Sequence, residues 1–276
     1  MRIGAGVPKT ASPDEWIAAL RERGYRATVW PLGGDASDAD ADAYVEAADK
    51  ADIVIAEVGA WCHNPLSADD AVRRAAIERC QLRLAQAEHV GARCCVNVAG
   101  SRGENWAGPH PDDLTDETFD LLVETVREIV DAVNPTRTCY AIETMPWVYP
   151  DSPDSYLRLI NAVDRKGFAA HLDPVNMINT PLRYFRNGEF IRECFDKLAP
   201  HIRSCHAKDT RMSDELTVHI SECPVGRGTL DYRTYLQCLS ALEPDTPLIL
   251  EHCPDEDLRA GAEHLRSLAD ELGVAL

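Results

Sequence analysis

The sequence contains no pair of cysteines spaced Cys-x-x-Cys, although it has ten cysteines in 276 residues. A thiolate zinc site or a redox-active dithiol normally uses that spacing, so neither is expected. Several of the cysteines, among them Cys94, Cys95, Cys139 and Cys205, lie inside apolar runs, where a free thiol behaves as a small hydrophobic side chain. This usage favours a reduced, cytoplasmic setting.

Basic residues are scarce, since 28 Lys and Arg stand against 46 Asp and Glu, which gives a formal net charge of -18. Such a charge repels nucleic-acid phosphates and anionic membranes unless a local basic patch compensates. No apolar stretch reaches the ~20 residues of a membrane span. An apolar, strand-like run begins directly after Met1 without the pattern of a signal peptide. We therefore expect neither a nucleic acid nor a membrane as a partner.

No Gly/Ser-rich linker or low-complexity tract divides the chain, so residues 1–276 are predicted to form a single domain. Eight short, mostly apolar runs alternate with eight longer amphipathic runs, as in a parallel α/β protein. The predicted strands are Arg2–Gly6, Arg26–Trp30, Asp52–Val58, Arg93–Val98, Thr138–Glu143, Gly167–Asp173, His201–His206 and Pro247–Glu251. The predicted helices are Asp14–Arg23, Asp38–Lys50, Asp69–Glu88, Asp116–Val133, Pro153–Asp164, Gly188–Leu198, Tyr232–Leu242 and Asp255–Leu272. Eight strand-helix pairs are the number that closes a (β/α)8 TIM barrel.

Four side chains that bind metal ions well, Glu143, Asp173, His206 and Glu251, lie at or near the ends of the last four predicted strands. Intervals of 30, 33 and 45 residues separate them, and each interval fits one strand-helix unit, the last with a long loop. The C-terminal ends of parallel barrel strands converge on one face, so these residues are expected to share one ion. Three carboxylates and one imidazole suit Mn²⁺, Mg²⁺, Co²⁺ or Zn²⁺.

The segments that follow the predicted strands are unusual in composition and include Trp61, Trp106 and Trp147. Tryptophans in loops, rather than on a helical stripe, suggest the walls of a ligand pocket. The alternative is that they fold back onto the core.

Five motifs of the C-terminal half have the order and spacing of a known enzyme family. They are Ala141-Ile142-Glu143, His171-Leu172-Asp173-Pro174, His206-Ala207-Lys208-Asp209, Pro224-Val225-Gly226-Arg227-Gly228 with Leu230-Asp231-Tyr232, and Ile249-Leu250-Glu251. The sequence thereby resembles the sugar isomerases and epimerases with a xylose isomerase-like barrel. That family also includes ketose 3-epimerases, inosose dehydratase-type enzymes and the endonuclease IV group.

The resemblance implies that Glu143, Asp173, His206 and Glu251 bind one divalent cation, with Mn²⁺ the first expectation and Mg²⁺, Co²⁺ or Zn²⁺ the alternatives. It also implies that the two glutamates flank the reacting carbon of a small sugar or sugar-derived substrate. A cation on the substrate oxygens stabilises an enediolate, so that one carboxylate removes a proton and another group returns it. Glu143 and Glu251 are the predicted acid-base pair, and the resemblance suggests a homodimer or homotetramer.

Further residues are predicted to contact the substrate, each with a structural alternative. Lys208 and Asp209 follow the histidine ligand, and the alternative is a solvated loop with salt bridges. His171 lies two residues before Asp173 and points to the same side of the strand, where the alternative is a place in a barrel layer. Asn176 stands where many of the epimerases carry a substrate-binding histidine, and an amide cannot shuttle protons. The remaining predicted contacts are Trp61, His63 and Asn97.

Three enzyme classes remain open at this point. The first is a metal-dependent isomerase or epimerase of a keto sugar or related hydroxy-carbonyl compound. The second is a lyase or dehydratase that uses the same enediolate but expels a β-hydroxyl or a glycosidic oxygen. The third, a nuclease of the endonuclease IV type, needs more histidine ligands and a basic face, and both the charge and the single histidine ligand argue against it. A non-enzymatic sugar-binding role is the remaining alternative.

Overall fold

Short buried strands alternate with amphipathic helices along the computed structural model, which describes residues 1–276. The strands are β1 (Arg2–Ala5), β2 (Ala27–Val29), β3 (Val54–Gly59), β4 (Cys94–Val98), β5 (Tyr140–Glu143), β6 (Phe168–Leu172), β7 (Ile202–Ala207), β8 (Asp209–Met212), β9 (Ile220–Cys223) and β10 (Pro247–Leu250). The helices are α1 (Pro13–Glu22), α2 (Asp38–Ala51), α3 (Asp70–Val90), α4 (Asp116–Val133), α5 (Pro153–Val163), α6 (Pro174–Met177), α7 (Pro181–Phe185), α8 (Asn187–Leu198), α9 (Tyr232–Ser240) and α10 (Asp255–Leu272), with a 3-10 turn at Ala199–His201.

All strands except β8 and β9 pair in parallel and close into a barrel, in the order β1-β10-β7-β6-β5-β4-β3-β2. The predicted (β/α)8 barrel is therefore confirmed, and the bounds of the eight strands agree with the prediction within two residues. Every residue of β4 and β6 is buried, because helices cover one side of the sheet and barrel side chains fill the other. The main core cluster contains 65 buried hydrophobic residues drawn from the first to the last helix.

Three short elements were not predicted. Helices α6 and α7 follow β6, and the antiparallel hairpin of β8 and β9 follows β7, with Asp209 opposite Cys223 and Met212 opposite Ile220. The hairpin accounts for the long interval between His206 and Glu251. It lies over the C-terminal end of the barrel, where its residues Ile220, Ser221 and Glu222 line a cavity described below.

No helix of the structure is both long enough and apolar enough to cross a membrane.

Candidate metal centre and substrate cavity

The four predicted metal ligands lie together at the C-terminal ends of four adjacent barrel strands. Glu143 is the last residue of β5, His206 the last but one of β7, and Asp173 and Glu251 directly follow β6 and β10. One ligand atom from each residue lies within 4.8 Å of the ligand atoms of the other three. The barrel closure thus brings together side chains that are up to 108 residues apart in sequence, from Glu143 to Glu251.

The imidazole of His206 is at the centre of this group. Its Nδ1 atom lies 2.8 Å from Glu251 Oε1, 3.3 Å from Glu143 Oε1 and 3.9 Å from Asp173 Oδ2. Asp173 is held by its position at the start of α6, where Oδ1 accepts hydrogen bonds from the backbone N–H groups of Val175 (2.9 Å) and Asn176 (3.2 Å). Its other carboxylate oxygen, Oδ2, is thereby left pointing towards His206.

A second cation of the protein, the Lys208 ammonium, lies among the same carboxylates. Its Nζ is 2.7 Å from Asp173 Oδ2, 2.7 Å from Glu251 Oε1 and 3.6 Å from Glu143 Oε1. Burial alone would lower the pKa of Lys208, but the three carboxylates outweigh burial and hold this pKa well above its ordinary value. Lys208 is therefore positively charged.

Burial raises the pKa values of the carboxylates in this group, whereas the neighbouring positive charges lower them. Burial alone would raise the pKa of Glu143, but His206 and Lys208 hold it well below its ordinary value. Burial is also the largest single effect on the pKa of Glu251, but the charges of His206 and Lys208 and the hydrogen bond to His206 together lower this pKa. The pKa of Asp173 is raised, chiefly by its burial. Glu143 and Glu251 are thus ionised near neutral pH and able to accept a proton.

The donor set fits a divalent cation. Asp173 Oδ2 and Glu251 Oε1 are buried, and the cationic groups close to them are the Lys208 ammonium, 2.7 Å from each, and the His206 imidazole, so both oxygens are directed at the point where a cation would bind. Three carboxylates also outnumber the two cationic groups of the protein, Lys208 and His206, in this cluster. Carboxylate oxygens with one imidazole nitrogen are a common ligand set for Mn²⁺, Mg²⁺, Co²⁺ and Zn²⁺.

Beneath the four ligands, Glu57 of β3 supports the histidine, and sequence reasoning missed this residue. Glu57 is completely buried, and its Oε2 lies 3.3 Å from His206 Nε2 while its Oε1 lies 2.9 Å from His171 Nε2. The Ser204 hydroxyl donates a further hydrogen bond to Oε1. The two imidazoles make the pKa of Glu57 lower than usual despite the opposing effect of burial. A carboxylate that accepts from His206 Nε2 leaves Nδ1 facing the other ligands. The surrounding carboxylates hold the pKa of His206 well above its ordinary value, so Nδ1 must give up its proton when a cation binds.

The signal for Glu57 was present in the sequence, because it is a lone carboxylate within the otherwise apolar run Ile53–Val58. A charge in a buried strand requires a partner. Its partners lie 114 and 149 residues further along the chain, and only barrel closure reveals them.

Above the ligands opens a cavity of about 940 Å³. Glu143, His206, Lys208 and Glu251 lie on its floor, and the loops that follow β3, β4 and β5 contribute one tryptophan each to its wall: Trp61, Trp106 and Trp147. The prediction that these tryptophans line a pocket is borne out by their positions. Such concave, partly apolar sites with a few convergent polar groups are typical of small-molecule binding.

A family model described as a xylose isomerase-like TIM barrel matches residues 17–268. The chain belongs to this family. No curated protein sequence matches it.

Solved structures of this barrel type resemble the whole chain at low sequence identity. A D-psicose 3-epimerase of Clostridium cellulolyticum H10, solved with D-tagatose, is 13% identical with a TM-score of 0.69, over 100% of both chains. A probable 3-DHS dehydratase of Bacillus anthracis is 17% identical with a TM-score of 0.68, over 94% of each chain. A xylose isomerase-like TIM barrel protein of Mycobacterium smegmatis, in complex with magnesium, is 17% identical with a TM-score of 0.67, over 95% of this chain and 89% of that one. At such identities these likenesses establish the fold.

Three of the predicted substrate contacts, Trp61, Asn176 and Lys208, line the cavity of this xylose isomerase-like barrel. The amide of Asn176 donates through Nδ2 to Glu143 Oε1 (3.1 Å) and to the Thr144 carbonyl (3.0 Å). Its Oδ1 accepts from Lys208 Nζ at 3.2 Å. Asn176 therefore links the Glu143 carboxylate to Lys208. Its amide donates two hydrogen bonds from one nitrogen and accepts one at its oxygen, a combination that an imidazole lacks.

The other predicted contacts do not line the cavity. His171 is buried below the ligands against Glu57, and Asn97 is buried in β4, where Nδ2 lies 3.3 Å from the His63 carbonyl. The side chain of His63 is half-buried outside the cavity wall, and burial lowers its pKa.

Asp209 is the clearest case of a structural role. Its carboxylate accepts four backbone hydrogen bonds, of 2.8–3.0 Å, from the N–H groups of Thr210, Gly226, Gly228 and Leu230. The Gly226-Arg227-Gly228 loop is thus an anion cradle filled by the protein's own aspartate, which leaves Asp209 no free acceptor position for a substrate.

Two tyrosines of α9 hold the end of β7 in place. The Tyr235 hydroxyl donates to the His206 carbonyl (3.0 Å) and the Tyr232 hydroxyl to the Lys208 carbonyl (2.6 Å). Both tyrosines are buried and lie three residues apart on one face of the helix. The backbone positions of the histidine ligand and of the lysine are therefore coupled to the packing of α9.

Proposed function

We propose that the protein is a divalent-metal-dependent isomerase or epimerase of a keto sugar or related hydroxy-carbonyl compound. The observation that carries the proposal is the group of four ligands, two of them ionised glutamates, on the floor of a cavity large enough for a sugar. Membership in the xylose isomerase-like barrel family supports it.

Glu143 and Glu251 are the proposed acid-base pair. Both line the cavity, and the pKa of each is lowered, so both are ionised and one carboxylate can take a proton from the carbon beside the carbonyl. The glutamate that has taken the proton can give it back to carbon, and return from the other glutamate requires that this second carboxylate has first taken up a proton. Lys208 and Asn176 also line the cavity beside the two glutamates, where the Lys208 ammonium supplies positive charge close to the substrate oxygens. Trp61, from the loop after β3, offers an apolar face to the substrate.

Glu143, Asp173, His206 and Glu251 would hold the cation, for which Mn²⁺ is our first expectation. When bound, it would supply positive charge next to the substrate carbonyl and so make the neighbouring C–H bond more acidic.

The test is a screen of keto sugars in D₂O with the metal-loaded protein, followed by product NMR. We expect deuterium at a carbon next to the carbonyl without loss of water. Glu251→Gln should reduce kcat by more than about 10²-fold, which is a typical acid-base contribution. Glu256→Gln, an exposed glutamate at the start of α10, is the matched control and should leave kcat unchanged. Activity of Glu251→Gln within a few-fold of wild type would contradict the assignment.

A lyase or dehydratase reaction on the same site is the second candidate. The buried Lys208 ammonium favours it, because a cationic donor beside the carboxylates can stabilise the oxygen that leaves after proton removal. In the same experiment this reaction would produce a new absorbing enone or diketone, and water or an alcohol would be released. The absence of both exchange and elimination on all keto sugars tested would contradict the two candidates together.

A further inference from the structure

Several large apolar side chains line the cavity from the loops above the metal ligands. The polar groups that can act on a sugar gather around the metal ligands, whereas the loops above present Trp106, Trp147, Ile178, Val218, Ile220 and Leu258. These six side chains come from five different connections: those after β4, β5, β6 and β7, and the start of α10. The apolar part is therefore a property of the whole mouth of the barrel. We call these six residues the apolar wall.

The cavity is also larger than one sugar requires. Pockets for drug-sized ligands span roughly 300–1,000 Å³, and the volume of about 940 Å³ lies near the upper end of this range. A six-carbon keto sugar that contacts Glu143 and Glu251 on the floor would leave the apolar wall without a ligand.

The charges of the cavity disfavour a phosphate as the additional group. No arginine lines the cavity, and its one lysine, Lys208, is already placed 2.7 Å from the carboxylates of Asp173 and Glu251. The other charged groups near the mouth are Glu222 and His252, which pair with each other at 3.2 Å. A phosphate dianion would face three glutamates without a bidentate partner.

Two of the tryptophans are held in fixed orientations. The indole Nε1 of Trp147 donates to the Ala107 carbonyl at 3.1 Å, which joins the loops after β4 and β5 and satisfies its only polar atom. The ring of Trp61 lies directly on the backbone of Gly59, where a Cβ atom would come within 2.0 Å of the ring carbons. Rings held in this way offer flat apolar surface to a ligand at little entropic cost.

We propose that the apolar wall binds an aromatic or similarly apolar group attached to the keto sugar, so that the substrate is an unphosphorylated keto-glycoside with an apolar aglycone. This inference rests on the proposed function for the position of the sugar ring. The chemical nature of the attached group is inferred separately, from the size of the cavity, its apolar lining and its lack of free positive charge.

The experiment compares equilibrium binding of three keto sugars to the Mn²⁺-loaded protein by calorimetry. The probes are methyl 3-keto-β-D-glucopyranoside, its phenyl counterpart, and the 3-keto derivative of the disaccharide cellobiose. We expect the phenyl glycoside to bind about 10- to 100-fold more tightly than the methyl glycoside, which is the effect of burying one aromatic ring. The disaccharide should bind no better than the methyl glycoside.

Variants of Trp147 and Phe185 test whether the preference for the phenyl glycoside arises at the apolar wall. Trp147→Ala should reduce the phenyl-to-methyl ratio to below about fivefold, while Trp147→Phe retains most of it, because a flat ring is what the ligand contacts. Phe185→Ala is the matched control, since Phe185 is an exposed aromatic side chain (70% exposed) that does not line the cavity, and it should leave the ratio unchanged.

Equal binding of the phenyl and methyl glycosides, tight binding of the disaccharide, or no saturable binding of any probe would each overturn the inference. The outcome is separable from that of the proposed function. If simple keto sugars undergo proton exchange but the phenyl and methyl glycosides bind with equal affinity, only the apolar subsite is refuted. A strong phenyl preference without proton exchange or elimination would refute only the proposed reaction.

Discussion

Glu57 shows how much the chemistry of one residue depends on neighbours that are distant in sequence. An isolated carboxylate in a buried strand would be costly, but Glu57 receives hydrogen bonds from two imidazoles and one hydroxyl. In return it orients His206 so that Nδ1 faces Glu143, Asp173 and Glu251. Partners of this kind commonly change metal affinity by 10- to 100-fold when removed, roughly.

We therefore expect Glu57→Ala to weaken Mn²⁺ binding by about 10- to 100-fold, while Glu57→Gln, which keeps an acceptor oxygen, recovers part of the loss. The reason is that Nε2–H of His206 loses its acceptor in the alanine variant, and the ring no longer favours the tautomer with a free Nδ1. Calorimetric titration with Mn²⁺ measures the affinity, and a pH series of ¹⁵N NMR spectra reports the protonation and the tautomer of His206. Unchanged affinity together with an unchanged tautomer in Glu57→Ala would refute this role.

The cysteines provide a second prediction at this scale. Seven of the ten are buried, and burial raises the pKa of Cys80 to about 11 and of Cys139 to about 12. Because the thiolate is the reactive form, the buried thiols should not react with a disulfide reagent at pH 8 until the protein is denatured. Cys62 is exposed and should react first. A thiol titration with and without denaturant checks this prediction, and Cys62→Ser is the control. If more than three cysteines react rapidly in the folded protein, the prediction is wrong, because only Cys62, Cys238 and Cys253 are incompletely buried.

The hairpin of β8 and β9 is the element that sequence patterns did not reveal. Its strands are short and only four residues long, and alternation over so few residues is a weak signal. Asp209 of β8 ties the hairpin to the loop that follows it, because its carboxylate accepts from the backbone N–H groups of Gly226, Gly228 and Leu230 as well as from that of Thr210. The hairpin in turn supplies Ile220, Ser221 and Glu222 to the cavity.

Asp209→Ala should lower the free energy of unfolding by about 2–4 kcal/mol, because several buried N–H donors lose a charged acceptor at once. Urea denaturation measures the difference. Asp214→Ala, an exposed aspartate between the same two strands, is the matched control and should change stability by less than about 0.5 kcal/mol. A loss in Asp209→Ala no larger than in the control would show that the loop does not depend on this carboxylate.

At the scale of the whole molecule, the acidic surplus and the ligand group together imply stabilisation by a cation. The chain carries a formal net charge of -18, and three carboxylates meet at the end of the barrel against one lysine. A divalent ion that binds only the folded state reduces this repulsion and shifts the folding equilibrium by mass action.

We expect Mn²⁺ at about 100 times its Kd to stabilise the protein by about 2.7 kcal/mol, and a chelator to reverse the effect. Thermal denaturation followed by circular dichroism measures the shift in Tm. Asp173→Asn should lose most of the metal-dependent shift, whereas the exposed variant Asp214→Ala should keep it. An equal Tm of the wild type with metal and with chelator would argue against a metal centre at this site.

Hydrophobic periodicity and the positions of strand ends were sufficient for the barrel and for its four ligands. Strands buried on both sides must be nearly continuous apolar runs, and parallel strands converge at their C-terminal ends, so Glu143, Asp173, His206 and Glu251 were predictable as one group. Asn176 and Lys208 were predictable as their neighbours for the same reason.

Only the tertiary structure decided which polar residues face a ligand and which face the protein. Glu57 meets His171 and His206 across the barrel, Asp209 satisfies a loop seventeen to twenty-one residues away, and tryptophans from three loops meet above the ligands. Such pairings depend on barrel closure and on the path of each loop, and local patterns contain neither. The sequence by itself determined the scaffold and the positions of the four candidate metal ligands, while the packing of distant segments determined the contact of His206 with Glu57, the anchoring role of Asp209 and the cavity above the site.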